Sequence, residues 1–443
     1  METKVNIIGA GLAGSEAALQ LAMRGIPVRL FEMRPAIQTP VHQTGNCAEL
    51  VCSNSLKSTK PESAAGMLKR ELAELDSQLL NVAYECAVAA GGALAVDREK
   101  FSAVVTQKIE GEPLIELVRQ EIDDIPTDST CTIVASGPLT SDALSRSLRC
   151  FTGVDNFAFY DAAAPIVLAD SLNHEKLFRQ SRYEEGEGDY LNAPFSKDEY
   201  EQFIAELISA ERVIAKEFET KDLFQACQPI EEIARKGVDA PRFGTLKPVG
   251  LTDPRTGRRP WAALQLRAEN EFKTGYNLVG FQTNLTFKEQ KRVFRMIPGL
   301  EQAEFARFGV MHKNTFLNAP QLVNENFRFR GNENVFVAGQ LEGTEGYCEA
   351  IMSGLYVALS VYMQIQESEL PPLPLETATG SLFSYATSKE TLDYQPMHVN
   401  FGIIPPLEKP IRNKKERYAA YAERGAAALE RYLDDLRSRS VIG

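Results

Sequence analysis

The chain has 443 residues with 44% hydrophobic content, enough to bury a large core and to build two or three domains. Its net charge of −12 excludes a protein that coats nucleic acid nonspecifically, but not a local basic site. Seven cysteines with no CxxC pair or regular spacing suit a reducing cytosol, and neither a disulfide framework nor a metal site is expected.

The first elements are the most informative. Val5 to Ile8 reads as a buried strand that runs into the turn Gly9-Ala10-Gly11-Leu12-Ala13-Gly14. A helix pattern follows with Ala17, Ala18 and Leu21 on one face, and Gly25 ends it. Val28 to Phe31 reads as a second strand with Glu32 at its end. In such a unit Gly9 permits the tight turn, Gly11 lets the backbone approach a pyrophosphate, and Gly14 allows close packing of the helix. The helix N-terminus offers free N–H groups to the phosphates, and Glu32 is placed to accept from a ribose diol. A lone GxGxxG is weak; with the strand, helix, second strand and acid in order it predicts a bound flavin dinucleotide, FAD.

A loop-rich region from Met33 to Pro61 precedes a helix through Met67, Leu68, Leu72 and Leu75. Gly91 to Arg98 reads as a turn and short strand, with a helix from Glu99. Leu114 to Val118 and Cys131 to Gly137 read as further strands of one sheet. Composition changes after about Ile166. Ser196 and Glu199 form a capping box ahead of Tyr200, Phe203, Ile204, Leu207 and Ile208, an amphipathic helix whose aromatic face belongs in a core. Strand-like segments at Trp261 to Leu266 and Tyr276 to Gln282 follow, with turns at Pro254 to Gly257 and at Pro298-Gly299. Dinucleotide character returns with a strand at Val335 to Gly339, the loop through Gly346 and a helix from about Glu349. Leu370 to Pro374 reads as an extended linker, and a last amphipathic helix begins near Asn413 with Leu429, Leu433 and Leu436.

The expected fold is therefore α/β: a discontinuous Rossmann-like FAD-binding domain, residues 1–165 and 319–443, interrupted by an inserted α+β domain, residues 166–318, on the substrate side. Gly9, Ala10, Gly11, Leu12, Ala13, Gly14, Glu32, Gly339 and Gly346 are the candidate cofactor residues. There is no second GxGxxG unit for a dedicated nicotinamide domain. With no secretory signal, and the longest late apolar run, Leu355 to Met363, about half the ~20 residues that span a bilayer, a soluble cytoplasmic protein without a membrane partner is expected.

Among the cysteines, Cys86, Cys131 and Cys150 read as small buried hydrophobes, the usual state of a free cysteine. Cys52 and Cys227 sit in polar, turn-rich contexts, and Cys47 and Cys348 are undecided.

The runs GAGLAGSEAA, FEMRP, AELVCSNSL, GGALAVDR, GPLTS, YDAAAPIV, KPVGL, YNLVGFQT, IPGLE, GVMHKNTF, EGY and QPMHVNFG together resemble the folate- and FAD-dependent tRNA uracil-5-methyltransferase family, TrmFO, from residue 4 to about 417. The likeness is shared in part with the larger flavoproteins that modify wobble uridines of tRNA. It implies methylenetetrahydrofolate as one-carbon donor, reduced flavin as its carrier and hydride source, and NADH or NADPH as reductant. It further implies tRNA as substrate, T-loop uridine-54, with a ribosomal RNA uridine as the alternative and no stable protein partner inferable. Cys227 carries over as the nucleophile on uracil C6 and Cys52 as the thiol beside the flavin, roles that are exchangeable at this stage. Such a thiol needs a local positive field, for which Lys247, His312 and Lys313 are the nearest candidates by family position.

The sequence departs from the family pattern at three places: Ala193 stands where a cysteine is common, FGTLKPVG replaces FGPMKPVG, and EGYCEA with Cys348 replaces EGYVES. These bear on substrate choice and leave the fold untouched. Three basic clusters are candidates for RNA contact: Arg255, Arg258 and Arg259; Lys291, Arg292 and Arg295; and Arg412, Lys414, Lys415 and Arg417. A short charge run is more often only a solvated face. His42 and His398 are weaker candidates for site linings. Outside RNA methylation, the readings that compete are a non-catalytic RNA-binding flavoprotein and a small-molecule flavin oxidoreductase.

Overall fold

The computed structural model describes residues 4–39, 41–126, 131–154, 157–184, 186–213, 228–391 and 394–442, with the backbone alone for 157–161, 312 and 313. The first body is built from β1 (Val5–Ile8), α1 (Leu12–Met23), β2 (Val28–Phe31), β3 (Ser55–Ser58), α2 (Ala64–Glu74), α3 (Gln78–Glu85), β4 (Ala87–Val88), β5 (Ala93–Val96), α4 (Arg98–Glu110), β6 (Ile115–Val118), β7 (Cys131–Val134) and α5 (Asp142–Thr152). The chain leaves it through β8 (Phe157–Ala162). It then forms β9 (Ile166–Leu168), β10 (Phe178–Arg179), β11 (Leu191–Phe195), α6 (Lys197–Ser209), α7 (Ile230–Lys236), α8 (Ala240–Phe243), β12 (Ala262–Ala268), β13 (Gly275–Leu278), α9 (Phe287–Phe294) and β14 (Phe305–Arg307). It returns through β15 (Met311–Phe316) to α10 (Ala319–Leu322), β16 (Val335–Val337), α11 (Tyr347–Ile365), α12 (Ala378–Thr387) and α13 (Lys414–Ser438).

Five strands form a wholly parallel sheet in the order β16-β7-β1-β2-β6, with Val5 beside both Val28 and Cys131. Where it is covered on both faces its strands are largely apolar rather than alternating, as VNII and CTIV show, while VRLF and IELV on the other side each carry one charge. β16 completes this sheet from far along the chain, so the dinucleotide fold is discontinuous. Its core holds residues from Val5 to Leu148 and again from Phe316 to Val441, while a separate core runs from Val167 to Ala303.

Between these cores, β8 and β15 pair antiparallel as a two-stranded ribbon, Ala162 opposite Met311. The second body is an antiparallel sheet in the order β10-β11-β12-β13-β9-β14. Leu264 and Leu266 of β12, Tyr276 and Leu278 of β13 and Phe195 of β11 project to the face covered by α6 and α9. The capping box of Ser196 and Glu199 starts α6, and Tyr200, Phe203, Ile204 and Leu207 are buried in this core, while Ile208 lies at its margin.

Two buried carboxylates join helices. Glu16 of α1 accepts from Ser77 Oγ and from the first amides of α3, and burial raises its pKa. Glu71 of α2 accepts from the N–H groups of Ala378 and Thr379 at 2.7 and 2.9 Å, at the start of α12, and burial pushes its pKa up to about 7. Helices α1 and α11 cross closely because Gly354 lies against Ala13, where a Cβ would stand 2.1 Å from the Ala13 oxygen.

Helix α11 is 19 residues and apolar enough to cross a membrane, but 83% of its apolar window is buried in the protein. The sequence reading undercounts it because its first turns are built from Cys348, Ala350, Ser353 and Gly354, small residues that add length with little apolar bulk.

Candidate dinucleotide and thiol site

A cleft opens where the C-terminal ends of β1, β2 and β7 meet the start of α1. Gly9, Gly11, Leu12, Ala13, Glu32 and Gly339 line it, with Val51, Gly137-Pro138 and Tyr347 on the far wall. Ala10, Gly14 and Gly346 are not on the lining; Gly14 packs against Gly9, and Gly346 lies next to Glu349 and Lys57. Gly9 has φ of +102°, and a Cβ there would stand 2.6 Å from the Ala135 oxygen, so strand approach demands glycine as much as the turn does. A Cβ on Gly14 would stand 1.9 Å from the Gly9 oxygen, so this glycine packs the helix on the turn itself. A Cβ on Gly11 meets nothing within 4 Å. That open space adjoins the first turn of α1, which no side chain caps, so its N–H groups are available to an anion.

Glu32 is held in place by the protein. One carboxylate oxygen accepts from the Ala10 N–H at 3.1 Å; the other accepts from the Arg34 N–H at 3.0 Å and Nε at 2.9 Å. Arg34 also donates to Glu49 at 3.0 Å, so a buried arginine is shared between two carboxylates. The acid is thus fixed with one acceptor site left, on the oxygen that the Ala10 N–H holds, and that site is open to a ribose hydroxyl. His42, hydrogen-bonded to Thr39 at 2.6 Å, is also on the lining.

The loop that carries Cys52 is clamped residue by residue. Arg98 donates to the Leu50 carbonyl at 2.9 Å and Arg307 to the Val51 carbonyl at 2.7 Å. The Tyr347 hydroxyl accepts from the N–H groups of Cys52 and Ser53 at 2.9 and 3.1 Å. Asn54 is bonded to Arg267 and to the Val96 and Ala268 carbonyls. Cys52 Sγ lies 3.8 Å from the Ala162 carbonyl, at the end of the β8–β15 ribbon. Burial, then the neighbouring Cys52, raise the Tyr347 pKa, keeping the phenol neutral. Burial and Arg98 lower the Arg307 pKa, while Tyr347, Cys52 and Glu269 act in the opposite sense.

The remaining candidates divide. Cys227 lies outside the described residues. Cys47, Cys131 and Cys348 are buried thiols, each pushed up to about 11 chiefly by desolvation. Cys86 is also buried, as expected, but Cys150 is exposed. On α5, Leu144 and Leu148 define the inner face, and Cys150 falls two residues, about 200°, round the helix from Leu148. The side chains of His312 and Lys313 are outside the description, and Lys247 lies on a loop whose carbonyl Arg182 binds. Among the described residues, Arg307 is a cation acting on Cys52, and the sequence reading missed it along with Tyr347. Lys57 was also missed; its Nζ pairs with Glu349 at 2.8 Å. His398 sits beside that pair, its pKa lowered by burial and then by Lys57.

The basic clusters are partly spent. Arg255 pairs with Asp253 at 2.7 Å, Arg292 with Glu289 at 2.7 Å, and Arg295 donates to the Ala303 carbonyl. Arg258 and Arg259 are exposed on the turn closed by the Asp253–Arg258 bridge. Lys414 and Arg417 lie 5.4 and 5.8 Å from the Tyr418 ring.

A parallel sheet with a glycine turn and a cleft across its strand ends defines a dinucleotide-binding α/β protein, and residues 4–369 match the family model of glucose inhibited division protein A. Two crystal forms of Aquifex aeolicus GidA share the fold. Form I has a TM-score of 0.72 at 15% identity, covering 99% of this chain and 79% of that one; form II has 0.70 at 15%, covering 97% and 73%. The sequence comparisons are narrower. The methylenetetrahydrofolate–tRNA-(uracil-5-)-methyltransferase TrmFO of Heliobacterium modesticaldum is 52% identical over 97% of this chain and 98% of its own. The enzymes of the same name from Pelotomaculum thermopropionicum and Geobacter sulfurreducens are 51% and 52% identical, each over 98% of this chain and 99% of theirs. The chain belongs to the TrmFO methyltransferase family, within the group that the glucose inhibited division protein A model describes.

Proposed function

We propose that this protein methylates C5 of a uridine in tRNA, T-loop uridine-54, in the cytoplasm. Methylenetetrahydrofolate supplies the carbon, and FAD with NADH or NADPH supplies the electrons. The observation that carries the reading is the tie between Cys52 and Tyr347. Tyr347 opens α11 and lines the cleft, so a half-buried thiol and the dinucleotide cleft share one site.

The residues fit FAD. The open space at Gly11 and the uncapped first turn of α1 suit a pyrophosphate, and Glu32 suits the adenosine ribose. Bound there, FAD supplies the two-electron chemistry that takes a carbon at the methylene level to a methyl group.

Uracil C5 is a weak nucleophile on its own. In this reading the Cys227 thiolate bonds to C6, and the displaced electron pair makes C5 an enolate carbon that bonds the one-carbon unit. Loss of the C5 proton and cleavage of the bond between the carbon and its carrier nitrogen leave an exocyclic methylene, and its two-electron reduction to methyl with cleavage of the S–C6 bond restores the ring and frees the thiolate. Cys52 is the thiol on the cofactor side, held by its clamped loop. The same reading assigns residues 1–165 and 319–443 to the cofactor and 166–318 to the RNA, with the two separate hydrophobic cores in support.

The test is to incubate the purified protein with total RNA, labelled folate donor and reduced nicotinamide, and to map 5-methyluridine. Label at the T-loop uridine supports the proposal. Label confined to ribosomal RNA moves the same chemistry to another substrate, and nicotinamide oxidation with no label in any RNA rejects methylation.

A further inference from the structure

Arg307 holds the loop ahead of Cys52 through main-chain carbonyls. It is half-buried at the end of β14, and its Nη2 donates to the carbonyls of Val51 and Val41 at 2.7 and 3.1 Å. Among the described residues it pairs with no carboxylate. The titratable groups acting on it are Arg98, Tyr347, Cys52 and Glu269. Arg98 and Glu269 pair at 3.0 Å and largely cancel, and Tyr347 is neutral. Among the described side chains, the charge left acting on the Cys52 loop is therefore that of Arg307.

The contact is also aimed. Arg307 holds the carbonyl of the Val51–Cys52 peptide, while the Tyr347 hydroxyl holds its N–H at 2.9 Å. One peptide plane is gripped at both ends by side chains 256 and 295 residues away in sequence, which is more than keeping a loop ordered requires.

We propose that Arg307 is a positioning residue for Cys52: it orients the thiol through the Val51–Cys52 peptide and supplies the positive charge that favours an anion at the sulfur. That anion is the thiolate itself or a negatively charged reactant meeting it. The inference rests on the proposed role of Cys52 in the site, but its test needs no methylation.

The probe is a pair of alkylating reagents on the whole protein with its flavin, anionic iodoacetate and neutral iodoacetamide, read at the Cys52 peptide by mass spectrometry. The ratio of the two rates cancels thiol exposure and ionisation, which both reagents feel alike, and reports the local potential. In Arg307→Met the ratio should fall on the order of tenfold at low salt, the scale of one nearby, partly screened charge. Arg307→Lys should recover most of it. Arg307→Gln, which keeps a donor for Val51, replaces the methionine variant if circular dichroism shows that variant unfolded. An unchanged ratio without the charge, or an equal fall in Arg307→Lys, overturns the proposal. A protein that methylates no RNA would still show the ratio change, so the two failures are distinguishable.

Discussion

Adding a side chain at Gly14 and at Gly11 should separate the two jobs of the glycine turn. A Cβ on Gly14 would lie 1.9 Å from the Gly9 oxygen and 3.1 Å from its carbon. That is more than an ångström inside the ~3.3 Å at which carbon and oxygen normally meet. Both partners are backbone, so α1 must lift off the turn. Overpacking of this kind costs about 1–3 kcal/mol, and an unyielding neighbour puts Gly14→Ala at the upper end. The shift per kcal/mol falls with size, from about 2–4 °C at 150–250 residues to roughly half that here, so the apoprotein Tm should fall by roughly 3–6 °C. Gly11 is the opposite case: its φ of −73° and ψ of −165° suit any residue, and a Cβ there meets nothing within 4 Å. Gly11→Val should therefore leave the apoprotein Tm within about 2 °C of wild type. It should nevertheless purify colourless, because the side chain occupies the space assigned to the pyrophosphate. Thermal denaturation of the apoproteins and flavin absorbance per protein measure both. Stoichiometric FAD in Gly11→Val would refute the assigned pocket, and a wild-type Tm for Gly14→Ala would refute the packing argument.

Cys227→Ala should abolish methylation while FAD stays bound, and Cys52→Ala should slow turnover with an altered flavin spectrum; wild-type rates in both, measured by label incorporation, would reject the thiol mechanism. Reversing Arg258 and Arg259 together should raise the RNA KM, leave flavin reduction by nicotinamide unchanged, and lower the salt slope of RNA affinity by about 1–2, with Lys414 and Lys415 as the comparison pair. A slope equal to wild type in both double variants would remove these clusters from the RNA surface. Glu71 titrates at about 7 in the fold against 4.5 as its ordinary value, so the folded state binds the extra proton, and its contribution to stability is lost as pH rises from about 4.5 to 7. Glu71→Gln should remove that part of the loss, so the Tm of the variant should gain on wild type across this window in a pH series; parallel curves would contradict it.

What was legible in the sequence was local. The glycine turn, the Ser196–Glu199 box and the Gly25 stop are each set within a few residues, and all three appear as read. Strand β3 escaped because SLKS has little apolar content and is held by pairing to β5 rather than by its own propensity. Helix α12 escaped although Thr377 caps it locally, because its ATGS start reads as a turn, and Glu71, some three hundred residues earlier, completes the cap. Arg307 and Tyr347 reach the Cys52 loop across comparable separations, which no local pattern encodes. Cys150 is different: the spacing of Leu144 and Leu148 already placed it on the outer face, and residue type alone was the weaker guide.

The position of β16 at the edge of the parallel sheet has a consequence for synthesis on the ribosome. Strand β7 is made roughly 200 residues before the strand that pairs with its outer side. At about 5–20 residues per second, that edge waits some 10–40 s for its neighbour. The middle body, with all six strands of its sheet made before β16, is able to close first. The nascent chain thus carries a finished second body behind an unfinished first one, with an apolar strand edge open to wrong partners until residue 337 is made.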